Sequence, residues 1–164
     1  MKVLDQTQIK QKVKRLAYEI LEHNFKEKEL IFVSINTRGT QFADMLIAEI
    51  SQLTDMKLSQ TVLNISPAAP LESEIVLDKP IKEFKNKVVI IVDDVANTGR
   101  TIFYAFKPLM DILPKKVEVA VLVDRKHKSF PVKVDYRGLT LATTFDENID
   151  VQFEQKKGQA VYLK

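Results

Sequence analysis

The run Val88-Val89-Ile90-Ile91-Val92 constrains this chain more than any other stretch. Five successive β-branched apolar residues predict a strand buried on both faces, the environment of a central strand in a parallel sheet. Asp93 and Asp94 follow where that strand runs out. Ligands of open α/β sheets bind outside strand carboxyl ends, so the two acids fall where a site is expected. Val95-Ala96-Asn97-Thr98-Gly99-Arg100-Thr101 comes next, and Ile102, Ala105, Phe106 and Leu109 set the spacing of a helix. A loop entering a helix N-terminus presents unpaired N–H groups and a favourable dipole, which together attract anions. Gly99 lets the backbone close around the anion, and the Thr98 and Thr101 hydroxyls add donors. Acceptors for ribose hydroxyls beside donors for phosphate oxygens suit a sugar phosphate.

The rest of the chain supplies the frame. Asp5 is placed to cap a helix and Gln8 to complete a capping box. Ile9, Val13, Leu16, Ala17, Ile20 and Leu21 then recur at helical spacing, with Lys10, Lys12, Lys14 and Arg15 on the other face. A solvated face is the commoner meaning of such charges. Leu30 to Ile35 reads as a second buried strand, Asn36-Thr37-Arg38-Gly39 as the turn after it, and Phe42, Met45, Leu46 and Ile50 as a helix. Gly39 offers unusual backbone angles and Arg38 a charge.

Leu58 to Ile65 predicts another strand. Pro67 and Pro70 then exclude a continuous helix, and the stretch to Pro80 reads as a long excursion, a hairpin or a flap, without Lys or Arg between Lys57 and Lys79. Val117 to Val123 is a further buried strand that ends at the basic stretch Asp124-Arg125-Lys126-His127-Lys128. Val132 to Tyr136 alternates, as does Val151 to Glu154, and Lys157-Gly158 leads into Ala160 to Leu163 as a terminal hairpin. Strands alternating with helices predict an α/β fold with a largely parallel sheet, and no interior stretch resembles a linker.

Composition excludes several classes. With no cysteine among 164 residues, a disulfide framework, a thiolate metal site and a cysteine nucleophile are all absent. No apolar run reaches membrane-spanning length and Met1 to Asp5 begins no secretory signal, so the expected location is cytoplasmic with no membrane partner. A net charge of +3 is too small to argue for nucleic acid. The acids after an apolar strand also suit a Walker-B ATPase, but the chain has no Gly-x-x-x-x-Gly-Lys-Ser/Thr loop.

The apolar strand, two acids and Thr98-Gly99-Arg100-Thr101 resemble the phosphoribosyl-pyrophosphate signature of the type I phosphoribosyltransferases. Most of the chain is similar to the bacterial pyrimidine-operon regulators that double as uracil phosphoribosyltransferases. The segments that carry this likeness include Arg15 to Ile20, Asn36 to Gly39, Val92 to Val95, Leu122 to Arg125, His127, Pro131, Asp135-Tyr136 and Gly138. The resemblance implies a mainly parallel central sheet flanked by helices, with a flap and a small hood, in one domain spanning residues 1–164. It implies Asp93 and Asp94 as catalytic residues, Ala96, Asn97, Thr98, Gly99, Arg100 and Thr101 around the 5′-phosphate, and Thr37, Arg38 and Gly39 around the pyrophosphate, often with a strained non-proline cis peptide. Val123, Asp124, Arg125 and Lys126 would meet the base, uracil first, although a solvated basic turn explains Arg125 to Lys128 equally well. Magnesium would be held by substrate and water near the acid pair, and the chain would form a homodimer or higher oligomer.

Two departures keep other readings open. The family's flexible loop carries a Tyr and an Arg, and Val62 to Pro70 has neither. The family's RNA-facing patch has a His where Tyr18 stands, and a Lys-containing loop where Thr143 to Asn148 carries Asp146 and Glu147. Phosphate contacts supply most nucleic-acid affinity, so RNA is disfavoured as a partner. An active transferase ranks first, ahead of an RNA-binding regulator and a catalytically silent nucleotide-binding module.

Overall fold

The structure, a computed structural model, describes residues 1–144, 146–154 and 158–164. Its elements run β1 (Lys2–Leu4), α1 (Gln6–Asn24), β2 (Glu29–Ile35), α2 (Asn36–Ser51), β3 (Lys57–Leu63), β4 (Val88–Ala96), α3 (Arg100–Ala105), β5 (Lys116–Arg125), β6 (Tyr136–Leu141), β7 (Ile149–Gln152) and β8 (Ala160–Leu163). Short 3-10 turns lie at Ile81–Phe84 and Lys107–Asp111. Among the described residues, five strands pair in parallel in the order β3-β2-β4-β5-β6. β4 takes the middle, as five successive β-branched residues require, and Val88 to Val92 are completely buried.

Alternation along the strands divides the core into two layers. Leu30, Phe32, Val88, Ile90 and Val92 face α1 and α2, where Ile9, Leu16, Ile20, Phe42, Leu46 and Ile50 meet them. Ile31, Val33, Ile35, Val89 and Ile91 face the other way, onto Ile65, Ile75, Phe84, Ile102 and Leu109. α1 starts where its capping box sets it: Asp5 Oδ1 accepts from the Gln8 N–H at 2.9 Å, and Gln8 Oε1 accepts from the Asp5 N–H at 2.9 Å. The open edge of β6 is guarded by Arg15, whose guanidinium donates to the carbonyls of Arg137 at 2.9 Å and Gly138 at 3.0 Å. A second, antiparallel sheet in the order β1-β8-β7 forms the small hood, held to α2 by stacking of Phe42 on Phe153 with ring centroids 6.2 Å apart.

Several expectations are corrected. Asn36 to Gly39 is the first turn of α2 and not a turn before it. Alternation at Val132 to Tyr136 is not a strand; pairing with β5 begins at Tyr136 and runs to Leu141. The excursion from 64 to 80 contains no strand, so it is no hairpin. The β7–β8 hairpin forms as expected, although Lys157 in its turn, like Phe145 in the 143–148 loop, lies outside the described residues. Phe103 and Tyr104, half-buried, pack with Phe130.

Candidate active site

The chain leaves β2 for β3 on one side and sets β4 on the other, so strand order reverses between β2 and β4. A crevice opens at such a point because the helices that follow diverge. Here it opens where β2 stops: Ser34 pairs with Val92, while β4 runs on beside β5 until Ala96 meets Asp124. Asp93 and Asp94 therefore stand on a strand supported from one side only. Asp93 is buried and Asp94 half-buried, and Asp93 Oδ1 accepts from the Asp94 N–H at 2.9 Å. Burial pushes the Asp93 carboxyl well above its ordinary range, and the charge of Asp94 adds to the shift. Burial also raises Asp94, against opposing effects of its hydrogen bond to Asp93 and the nearby Arg38 charge.

A cavity of about 380 Å³ lies over this pair, bounded by Asn36, Thr37 and Arg38 from α2, Asn97 from the loop after β4, Thr101 from α3, Pro67 from the excursion and Ile149 from β7. α2 reaches the acids because residue 39 is glycine: a Cβ there would stand 2.8 Å from the Val92 carbonyl oxygen. Gly39 has ordinary helical angles, so its role is close approach and not the unusual backbone expected. Among the described residues no peptide bond is cis; at the start of α2 it is Asn36 that takes a left-handed conformation, with φ 54°. Arg38 pairs with Asp150 of β7 at 3.2 Å. Across the crevice, Gly99 takes φ 85° and turns the loop into α3. α3 has only six residues, so loop N–H groups, more than a helix dipole, are what this turn can offer an anion.

A second cavity of about 500 Å³ adjoins the first, and among the described lining residues Asn97 is shared by both. Its walls are Thr98, Arg125, His127, Lys128, Ser129, Thr143 and Thr144. Arg125 donates to Asn97 Oδ1 at 2.7 Å and to the Thr144 carbonyl, linking the loop after β4 to the segment after β6. Lys128 pairs with Asp124 at 2.6 Å, and Arg137 reaches the same carboxylate at 3.4 Å.

Of the residues expected from sequence, Asp93, Asp94, Thr37, Arg38, Asn97 and Thr101 come together around the first cavity. Thr98 and Arg125 line the second. Ala96 and Val123 are buried, Asp124 is an ion-pair anchor below the second cavity, and Lys126 is exposed, its N–H spent on the Leu141 carbonyl. Asn36, Pro67, Ile149, His127, Lys128, Ser129, Thr143 and Thr144 were not expected as lining residues. The basic stretch through Lys128 and the segment Asn36 to Gly39 were the sequence signals for part of this set.

Residues 2–155 match the family described as phosphoribosyl transferase domain. The chain belongs to the phosphoribosyltransferase family. Its relatives in this family include the Bifunctional protein PyrR of Limosilactobacillus reuteri, 34% identical over 95% of this chain and 93% of that one. The Bifunctional protein pyrR of Enterococcus faecalis is 36% identical over 95% and 91%. The hypoxanthine phosphoribosyltransferase of Trypanosoma cruzi superposes with a TM-score of 0.80 over 99% of this chain and 94% of its own, at 15% identity. That of Staphylococcus aureus gives 0.77 over 98% and 90%, at 22% identity. The fold is that of the type I phosphoribosyltransferases, a five-stranded parallel sheet flanked by helices with a small hood.

Proposed function

We propose that this phosphoribosyltransferase-family chain transfers the ribose 5-phosphate of phosphoribosyl pyrophosphate to a nucleobase, uracil first, and releases pyrophosphate. The observation that carries this reading is an acid pair, Asp93 buried and Asp94 half-buried, set between the first turn of α2 and the loop after β4, in a cavity that meets a second one at Asn97. A base nitrogen attacks C1′ as the C1′–oxygen bond to pyrophosphate breaks, and the sugar passes through an oxocarbenium-like cation. Carboxylates fixed beneath the ribose hold its hydroxyls and stabilise that charge. N–H groups of Asn97 to Thr101 take the 5′-phosphate, and the first turn of α2 with Arg38 takes the pyrophosphate. The base lies against Arg125 and its neighbours.

Magnesium fits this donor set. The acid pair offers hard oxygen ligands, and among the described residues no cluster of three or more His, Cys, Asp or Glu could hold a metal alone. An ion bound by one or two carboxylates, substrate phosphates and water is the usual arrangement for magnesium. When bound, it neutralises charge on the departing pyrophosphate.

The relatives' name indicates two activities, and RNA binding is the second reading. Lys10, Lys14 and Arg15 are exposed on α1, which favours it, while the acidic Asp146 and Glu147 oppose phosphate contacts. The test of the first reading is pyrophosphate release from phosphoribosyl pyrophosphate and magnesium, screened across free nucleobases. Uracil should support turnover, and the double variant Asp93→Asn, Asp94→Asn should lose at least about a hundredfold. Absence of turnover with every base would overturn the reading, and retained substrate binding would then identify a silent module.

A further inference from the structure

The excursion between β3 and β4 is tied down at its root, on both sides of the crevice. On the α2 side, Asn36 Nδ2 donates to the Ile65 carbonyl at 2.8 Å, and Asn36 Oδ1 accepts from the Ile65 N–H at 2.9 Å. On the other side, Arg100 Nη2 donates to the Pro67 carbonyl at 2.6 Å. Residues 65–67 thus form a strap from the pyrophosphate cradle to the phosphate loop, and Pro67 is part of the wall of the 380 Å³ cavity. Ile65 and Ile75 are buried in the core layer beneath. No Lys or Arg occurs between Lys57 and Lys79, so the excursion brings no such cation to the pyrophosphate itself. The guanidinium that reaches it belongs to the phosphate loop.

We propose that Arg100 is a positioning residue that fixes the strap 65–67 over the crevice, its side chain serving the Pro67 carbonyl and not the 5′-phosphate. The inference rests on the proposed transferase reading. Arg100 begins α3 and leaves its own loop to meet the strap. The phosphate cradle keeps its backbone donors whichever way this side chain points. A strap held there narrows the opening through which phosphoribosyl pyrophosphate enters and leaves, so the effect of Arg100 falls on a substrate that spans both cradles. A ligand that fills only the phosphate loop does not need the strap.

The test uses the full chain with Arg100→Ala, Arg100→Lys and Asn36→Ala. Three quantities are read: kinetics with phosphoribosyl pyrophosphate and base varied separately, calorimetric affinity for ribose 5-phosphate, and the rate of limited proteolysis within residues 64–80. Arg100→Ala should raise the KM for phosphoribosyl pyrophosphate about tenfold, the size expected for one charge-assisted hydrogen bond. It should leave ribose 5-phosphate affinity and the KM for base unchanged, and cleavage within 64–80 should speed up. Arg100→Lys should restore part of the loss, and Asn36→Ala, which frees the other end, should speed the same cleavage. Equal weakening of ribose 5-phosphate and phosphoribosyl pyrophosphate by Arg100→Ala would overturn the proposal in favour of a direct phosphate ligand. So would cleavage that stays at the parent rate. If the parent turns over no base, the transferase reading fails, while the cleavage rates and ribose 5-phosphate affinity still decide whether Arg100 holds the strap.

Discussion

Asp93 is an acid that folding forces into a poor place for charge, and this sets a direction for stability. Its carboxyl is raised in the fold by burial first and by Asp94 second. Between the unfolded carboxylate range, about 3.9, and the higher native value, the native state holds a proton that the unfolded chain has lost. Stability therefore falls as pH rises through that window and is recovered as pH falls back toward 4. Melting of the metal-free protein should show this slope, and Asp93→Asn should flatten it and raise the melting temperature at pH 7. An unchanged slope would show that Asp93 carries its charge without cost. This acid pair was legible in sequence because an apolar run ending in two acids has few meanings. Pro67 and Ile149 were not, since each reaches the cavity from an element whose placement depends on packing.

The first turn of α2 presses against β4, and Gly39 is the contact that permits it. A methyl group there would meet the Val92 carbonyl oxygen at 2.8 Å, an atom fixed in the middle of the sheet. Gly39→Ala should cost about 1–3 kcal/mol, the range for an overpacked site, and should weaken pyrophosphate binding because the helix must back away. Chemical denaturation and calorimetry with pyrophosphate would check both, and an unperturbed variant would refute the close approach. Sequence announced a special glycine but not its reason, because close packing and unusual backbone angles leave the same residue. β6 was misplaced for a related cause. Gly138 weakens the strand signal, yet a Cβ there would stand 2.6 Å from the Leu122 carbonyl oxygen, so glycine is what lets β6 lie against β5. The preceding alternation is occupied otherwise: Asp135 bonds Val119 through both its N–H and its carboxylate.

Across the whole molecule, the two rims of the sheet have different tasks. Opposite the crevice, Tyr136 donates to Glu118 at 2.7 Å and Asn24 donates to the same carboxylate at 2.9 Å, locking the end of α1 to β5 and β6. Burial and the Glu118 charge push the Tyr136 hydroxyl far above its usual range, so it remains a donor. Tyr136→Phe strands a buried carboxylate oxygen and should cost about 1–3 kcal/mol of stability. Turnover should stay at the parent value, because the network stands at the far end of the strands; a matching fall in kcat would link the rims. The parallel sheet was readable from local pattern. The hood was only half so, because β1 joins β8 from the opposite end of the chain, a pairing that no local window contains.

Asn97 as the meeting point of two cavities has a consequence for inheritance. On the proposed reading, sugar-phosphate chemistry belongs to the ends of β2 and β4, while the second chamber is lined by the segments after β5 and β6 together with Asn97 and Thr98 of the loop after β4. Mutations in residues 125–129 and 143–144 redraw the second chamber without touching Asp93, Asp94 or the first turn of α2. A transferase of the proposed kind can thus change the base it accepts by drift in residues 125–129 and 143–144, without rebuilding its reaction.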